Sequence, residues 1–368
     1  MEINILIILP LIGAILSALF IKKRKIVLTL FIAISLALTY ILYTLYGRWD
    51  LTVNYPVNIS YLGGNITIGF KVNPLGWFFS FFSMTITFLI ALFSFSYNDN
   101  KHDSKTVPLW LILLMASSGI FLANDFLMLF VMWEIMGVSS YFIIAHGKKL
   151  SEKAARFYMS LSLVGTSTML FGIMLLGNAA KSFDLGTGIN YLIGSAGKNS
   201  LSLLILALFL ITFLIKSAIF PFYMWPSRAY AEAPDDFTPF LSTVMSKYGI
   251  YGLALFILPV IQNAGFSQMG KINQPAYLLA ILGAITGVLG TVLAIFETDI
   301  KKLFAYSSVS NIGYIVMGLS TMSLTGAQGA LFHSVNHMVF KTAIFLSLAA
   351  VIYRTGERDM HKLGGLVY

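Results

Sequence analysis

The sequence predicts an all-α fold, a polytopic membrane bundle of about eleven transmembrane helices. Three observations predict it. Of 368 residues, 58% are hydrophobic and 11% charged, against about 25% charged in a typical soluble domain. The mean hydropathy is +0.83. The chain also divides into eleven apolar runs, each near the roughly 20 residues that carry a helix across a bilayer. This composition excludes an ordinary water-soluble globule. With no cysteine, disulfides, cysteine-ligated zinc, iron–sulfur clusters and thiol catalysis are excluded as well.

The first run, Ile3–Ile21, is followed, not preceded, by its basic cluster Lys22, Lys23, Arg24 and Lys25. That order is the reverse of a cleavable signal peptide. Ile26–Tyr46 is the second run. Gly47–Pro74 alternates weakly through Leu51, Val53, Tyr55, Val57 and Ile59, a pattern that suits a short hairpin on the membrane surface or a plain loop equally. Leu75–Tyr97, Val107–Ala123, Phe126–Ala145 and Ala155–Leu176 follow. Gly177–Ser200 is rich in Gly, Ser and Asn and reads as a connector. Leu201–Phe220, Phe237–Ile261, Ala276–Phe296, Phe304–Met322 and Gly326–Tyr353 complete the set. Residues 1–368 read as a single integral membrane domain.

Basic residues set the orientation of such a chain. With Met1 outside, sixteen fall inside: Lys22, Lys23, Arg24, Lys25, Lys101, Lys105, Lys148, Lys149, Lys153, Arg156, Arg228, Lys301, Lys302, Arg354, Arg358 and Lys362. Five fall outside: Arg48, Lys71, Lys181, Lys198 and Lys271. The remaining three of the 24, Lys216, Lys247 and Lys341, lie within apolar runs. This bias explains the net charge of +9 without a nucleic-acid partner. It predicts a multi-pass cell-membrane protein with its N-terminus outside and Tyr368 cytoplasmic.

A charge in mid-membrane costs about 2.5–3.5 kcal/mol on insertion scales, so such residues are functional candidates. Glu134 is the only acid well inside an apolar run. Its bland alternative is an ion pair that staples two helices. Lys216 interrupts Leu201–Phe220, and Pro221 and Pro226 follow. Proline removes a backbone donor and crowds the preceding turn, so the helix is expected to break between Lys216 and Pro221. A buried lysine beside a broken helix is a transporter pattern; the alternative is a lysine snorkelling from a helix end. Lys247 lies near Gly249 and Gly252, which permit close helix contact. His333, His337 and Lys341 are spaced by four and share one helix face. A histidine pair at this spacing suits metal, but no third ligand is near, so a proton relay is the better reading. No cofactor site, redox ligand set or hydrolytic site is legible. These polar residues suit proton or small-cation transfer better than bond making.

Four stretches carry a family resemblance. One is Phe130-Val131-Met132-Trp133-Glu134-Ile135-Met136. The second runs from Lys216 through Pro221, Phe222 and Trp225 to Ala233-Pro234, and on to Lys247, Gly249 and Tyr251. The third is Asp299-Ile300-Lys301-Lys302-Leu303-Phe304-Ala305-Tyr306-Ser307-Ser308-Val309-Ser310. The fourth is Phe332-His333-Ser334-Val335-Asn336-His337-Met338-Val339-Phe340-Lys341, followed by Arg354-Thr355-Gly356-Glu357-Arg358-Asp359-Met360 and Leu363-Gly364-Gly365-Leu366. Over about residues 75–368 the chain resembles the antiporter-like subunits of respiratory complex I and of Mrp-type cation/proton antiporters. It looks most like those of energy-converting membrane hydrogenases and related archaeal respiratory complexes.

The resemblance implies three N-terminal helices (3–97), a first five-helix repeat (107–261) and an inverted second repeat (276–353). The family pattern has about fourteen helices, so this chain is expected to stop after the eleventh, with the second repeat incomplete. The resemblance makes Glu134 the modulating glutamate, Lys216 the broken-helix lysine, Lys247 the lysine that passes protons onward, and His333 and His337 the central histidines. Two departures concern chemistry. Asn311 stands where complex I subunits usually have a histidine, and Pro226-Ser227-Arg228-Ala229-Tyr230 replaces the usual Leu-Pro-Asp-Ala-His.

The expected function is an ion-translocating subunit, for protons, sodium or both, of a redox-driven respiratory or hydrogenase-type complex or an Mrp-type antiporter. Its partners would be other membrane subunits, homologous antiporter-like chains among them, and membrane lipid. The competing readings are a non-translocating scaffold, half of a split antiporter completed by another chain, and a self-contained transporter of an organic solute.

Overall fold

Apolar side chains on every face of a helix leave lipid and neighbouring helices as the only places to bury them. The computed structural model meets that demand with thirteen helices and one hairpin over the residues it describes, 2–59, 64–97, 104–147, 150–196, 198–263 and 274–365. The expected positions of Lys101, Lys148, Lys149, Lys271 and Tyr368 lie outside the described residues.

Every apolar run becomes a helix. In order these are α1 (Glu2–Leu19), α2 (Arg24–Thr44), α3 (Pro74–Ser96), α4 (Val107–Leu122), α5 (Phe126–Ala145) and α6 (Ser151–Ala180). Two helices follow that frame a break, α8 (Ser200–Ser217) and α9 (Met224–Glu232), preceded by α7 (Leu185–Ser195). Then come α10 (Thr238–Asn263), α11 (Gln274–Ile295), α12 (Ile300–Ser320) and α13 (Leu324–Thr355). Nine of the described helices are long and apolar enough to cross a membrane, and α4 is a shorter apolar one. Length suffices in α12 too, but Lys301, Lys302 and its serines make it less apolar.

Helix starts follow side-chain capping. Asn73, Asp125, Asp184, Asn199, Asp299 and Ser323 each accept from a backbone N–H in the turn they open. The Asp184 cap explains why the Gly177–Ser200 connector contains α7 after all: Leu185, Gly188 and Leu192 bury one face. The alternation after Gly47 resolves as a hairpin. Strands β1 (Thr52–Ile59) and β2 (Gly64–Lys71) pair antiparallel, with Thr52 opposite Lys71 and Val57 opposite Ile66. Asp125 joins this hairpin to α5, accepting from Gly69 N–H at 2.7 Å and from Met128 N–H at 2.8 Å. Burial nevertheless holds its carboxyl above the usual carboxylate range, because desolvation outweighs those backbone donors.

Among the nine helices long and apolar enough to cross a membrane, α10 is the most buried, at 78% of its apolar window against 33% for α1, α6 and α11. It packs on α8 through Gly249, where a Cβ would collide with the Ser217 side chain and the Phe213 carbonyl. Gly252 lies against the Phe213 ring in the same way. Trp110, Trp225, Tyr158, Tyr230, Tyr248 and Tyr251 are the largest fully buried side chains.

Candidate functional site

The break forms where the sequence places it. Lys216 occupies the last turn of α8 and is 3% exposed. Ala218 then takes left-handed backbone (φ 59°) and the Phe220–Pro221 peptide is cis. The chain turns before α9 begins at Met224. Backbone groups freed at a break need protein or water partners at membrane depth. Two find protein: Phe220 N–H donates to Thr286 Oγ1 of α11, and the Trp225 indole N–H donates to the Ile215 carbonyl, both at 2.9 Å. The C-terminal end of α8 also presents carbonyl dipoles that favour a cation in its last turn.

Lys216 Nζ donates to Tyr158 Oη on α6 at 2.8 Å and sits 5.0 Å from that ring's centroid. Tyr158 Oη in turn meets Ser140 Oγ on α5 at 2.8 Å. Glu134, also on α5, is half-buried and makes no ion pair or hydrogen bond among the described residues. Glu134 and Lys216 therefore form no direct ion pair. Helix geometry explains this: side chains six residues apart leave the axis about 120° apart, and Ser140 holds the direction toward Tyr158. Trp133, beside Glu134, packs on Phe213 with ring centroids 5.9 Å apart, which brings α5 within one turn of Lys216.

Lys247 is fully buried near the middle of α10. Its Nζ lies 2.7 Å from His337 Nδ1 on α13 and donates to Ser246 Oγ at 3.2 Å. Wide π turns at Leu241–Met245 and Leu253–Ile257 flank it. Such turns break the α repeat and often occur at functional sites; nothing in the sequence signals them.

His333, His337 and Lys341 do share one face of α13 but not one hydrogen-bond chain. His333 Nε2 pairs with Asn311 Oδ1 at 2.9 Å, so Asn311 occupies the place of a relay partner without being able to titrate. Lys341 is buried, donates to the Phe304 carbonyl at 3.0 Å and lies over the Phe304 ring. His337 Nε2 is buried without a hydrogen-bond partner among the described residues.

A second buried cluster was not singled out from sequence. Lys301, 1% exposed, donates to Asp235 at 2.8 Å and to the Ala233 carbonyl at 3.1 Å. Tyr97 Oη donates to Asp235 at 3.4 Å, and Ser94 Oγ to Asp236 at 3.1 Å. Arg358 ties Glu232 (3.4 Å) to Asp299. The sequence tally treats Lys301 and Arg358 as cations facing the cytoplasm; Lys301 is instead desolvated and paired, and Arg358 is half-buried between two carboxylates. The signal was present in Pro234-Asp235-Asp236, two acids just before an apolar run. Tyr158 and Ser140 left no comparable signal, since a hydroxyl in a span reads as ordinary packing.

Comparison with known proteins places this geometry. Residues 123–368 match the transmembrane family described as NADH:quinone oxidoreductase/Mrp antiporter. A protein described as an antiporter subunit, mnhD2, of Staphylococcus aureus (strain JH9) is 31% identical over 323 residues, or 87% of this chain and 60% of that protein. The chain thus spans about 60% of the length of the curated relatives it matches. Among solved structures, a chain of the membrane-bound sulfane sulfur reductase, an archaeal respiratory membrane complex, superposes with a TM-score of 0.87 at 31% identity, covering 100% of this chain and 59% of that one. A chain of the Mrp complex from Dietzia sp. DQ12-45-1b gives 0.84 at 22% identity, covering 99% of this chain and 67% of that one. A chain of respiratory complex I from Thermus thermophilus gives 0.83 at 20% identity, covering 100% and 74%, and shares the fold.

Proposed function

Because the chain belongs to the NADH:quinone oxidoreductase/Mrp antiporter transmembrane family, we propose that it is an antiporter-like membrane subunit that moves protons, or exchanges them for sodium. The pathway runs along Glu134, Lys216, Lys247, His333, His337 and Lys341. One observation carries this reading. Lys216, Lys247 and Lys341 are all buried, and among the described residues none is paired with a carboxylate. A buried ammonium that only stabilised the fold would need such a partner, because an uncompensated buried charge is strongly destabilising. Side chains that alternate between charged and neutral do not.

The residues divide the work. Lys216, at the end of a helix whose dipole favours a cation, binds and releases a proton. Lys247 and His337 are close enough for direct transfer: an N–H bond on Lys247 Nζ breaks as one forms on His337 Nδ1. Water joins Lys216 to this pair, and Glu134 tunes the first step from α5 through its charge. Residues 107–261 act as one five-helix repeat and 276–353 as part of a second. The N-terminus lies outside. The driving reaction takes place on partner subunits, some of them homologous to this one, in a redox-driven complex or a cation/proton antiporter.

Arginine keeps a positive charge but does not release its proton in proteins. Lys216→Arg is therefore expected to assemble and to abolish gradient formation in reconstituted vesicles carrying a pH-sensitive dye. Full gradient formation by this variant would mean that the charge is structural and the subunit a scaffold.

A further inference from the structure

The hydroxyls between α5 and Lys216 form a directional chain. Ser140 Oγ donates back to the Met136 carbonyl at 2.8 Å and the Gly137 carbonyl at 3.0 Å, one turn earlier on α5. Its oxygen is then free to accept from Tyr158, whose own oxygen accepts from Lys216. Both hydroxyl hydrogens have an acceptor when Lys216 is an ammonium. Tyr158 and Ser140 are 1% and 0% exposed, so bulk solvent does not scramble the order.

We infer that Tyr158 and Ser140 form a hydroxyl switch that reports the protonation state of Lys216 to α5. The inference rests on the reading that Lys216 titrates. A neutral amine is a better base than a phenol, and a phenol a better acid than an amine. When Lys216 loses its proton, the Tyr158 hydrogen turns toward Nζ. Tyr158 Oη then needs a new donor, and Ser140 supplies it by swinging its hydrogen away from the Met136 and Gly137 carbonyls. Only hydroxyl hydrogens rotate; no bond to a proton breaks at Tyr158 or Ser140. Serine back-bonding to the preceding turn bends a helix slightly, so gaining or losing it changes α5 one to two turns from Glu134. The helix that bears the acid thus senses the lysine without touching it.

The other titratable groups around Tyr158 leave the chain undisturbed. Tyr230 on α9 and Tyr248 on α10 lie within electrostatic range of it. Their hydroxyls are committed elsewhere, Tyr230 to the Leu241 carbonyl at 3.0 Å and Tyr248 to Ser117. Glu134 bonds to none of these groups among the described residues. Tyr158 is a positioning residue on this account.

Tyr158→Phe keeps the ring, its cation–π contact and its packing on Trp225, 5.3 Å between centroids, and removes only the hydroxyl. In vesicles containing the whole complex, transport is expected to fall about 10- to 100-fold, the worth of one hydrogen bond to a charged group. Its pH–rate profile should differ from the native one, because the ammonium has lost an acceptor. Ser140→Ala, one hydrogen bond further along, should produce the same pH displacement with a smaller loss of rate; it also decides the matter if the Phe variant fails to assemble. Lys216→Ala is the control. If Lys216→Ala is inactive while both hydroxyl variants keep the native pH–rate profile, the switch is wrong and the translocation reading stands. If Lys216→Ala transports normally, the translocation reading itself fails.

Discussion

Two buried lysines with opposite surroundings show what burial demands at the residue scale. Lys301 sits against Asp235, 2.8 Å away, with both side chains almost fully covered. Lys216 has only a phenol oxygen and a helix end. Removing one member of a buried pair strands the other, at a cost of about 3–5 kcal/mol. Lys301→Ala is therefore expected to lower the thermal midpoint of the purified protein sharply and to reduce assembly, while Lys301→Ala with Asp235→Asn recovers much of the loss. Lys216→Ala should do neither. Thermal unfolding followed by tryptophan fluorescence distinguishes the two kinds of lysine. An equal loss for both would mean that Lys216 is also a structural charge.

Among the elements, the contact between α8 and α10 decides where the break can sit. Gly249 leaves no room for a Cβ beside Ser217 and the Phe213 carbonyl. Its backbone is ordinary helix, so the requirement is one of space, not of torsion angle. Gly249→Val overpacks that seam and should destabilise the bundle by about 1–3 kcal/mol. Because Ser217 adjoins Lys216, transport should fall further than assembly. Normal stability and transport in Gly249→Val would show that α8 and α10 can separate at no cost. The π turns on either side of Lys247 belong to the same scale. They lie on either side of the stretch that packs on α8 through Gly249 and carries Lys247 to His337 on α13.

For the whole molecule, the basic residues are the main guide to orientation. Reporters fused at Lys105 and Lys198 are expected to read opposite sides of the membrane, with Lys105 cytoplasmic. The same side for both would break the proposed topology, and opposite sides with Lys105 outside would reverse it. Orientation also decides on which face of the membrane the Asp235–Lys301 and Glu232–Arg358–Asp299 cluster sits. That cluster fastens α9, α12 and the segment after α13 together.

Much of this protein was legible without coordinates because the bilayer imposes one-dimensional rules. Length and apolarity placed the eleven apolar helices to within a few residues, and Pro221 announced the break after Lys216. The cost of charge in lipid singled out Glu134, Lys216, Lys247 and Lys341. The partners of those charges were not legible, since they depend on the direction in which each side chain leaves its helix and on which helices become neighbours. Spacing by four put His333, His337 and Lys341 on one face, but tertiary packing sent them to Asn311, Lys247 and the Phe304 carbonyl in turn. The groups that meet Lys216 are the Tyr158 and Ser140 hydroxyls, which no spacing along the chain identifies. Hydropathy is summed along the chain, so the sequence alone determines what must be buried. Hydrogen bonds are made across it, so only the tertiary structure decides what a buried group meets.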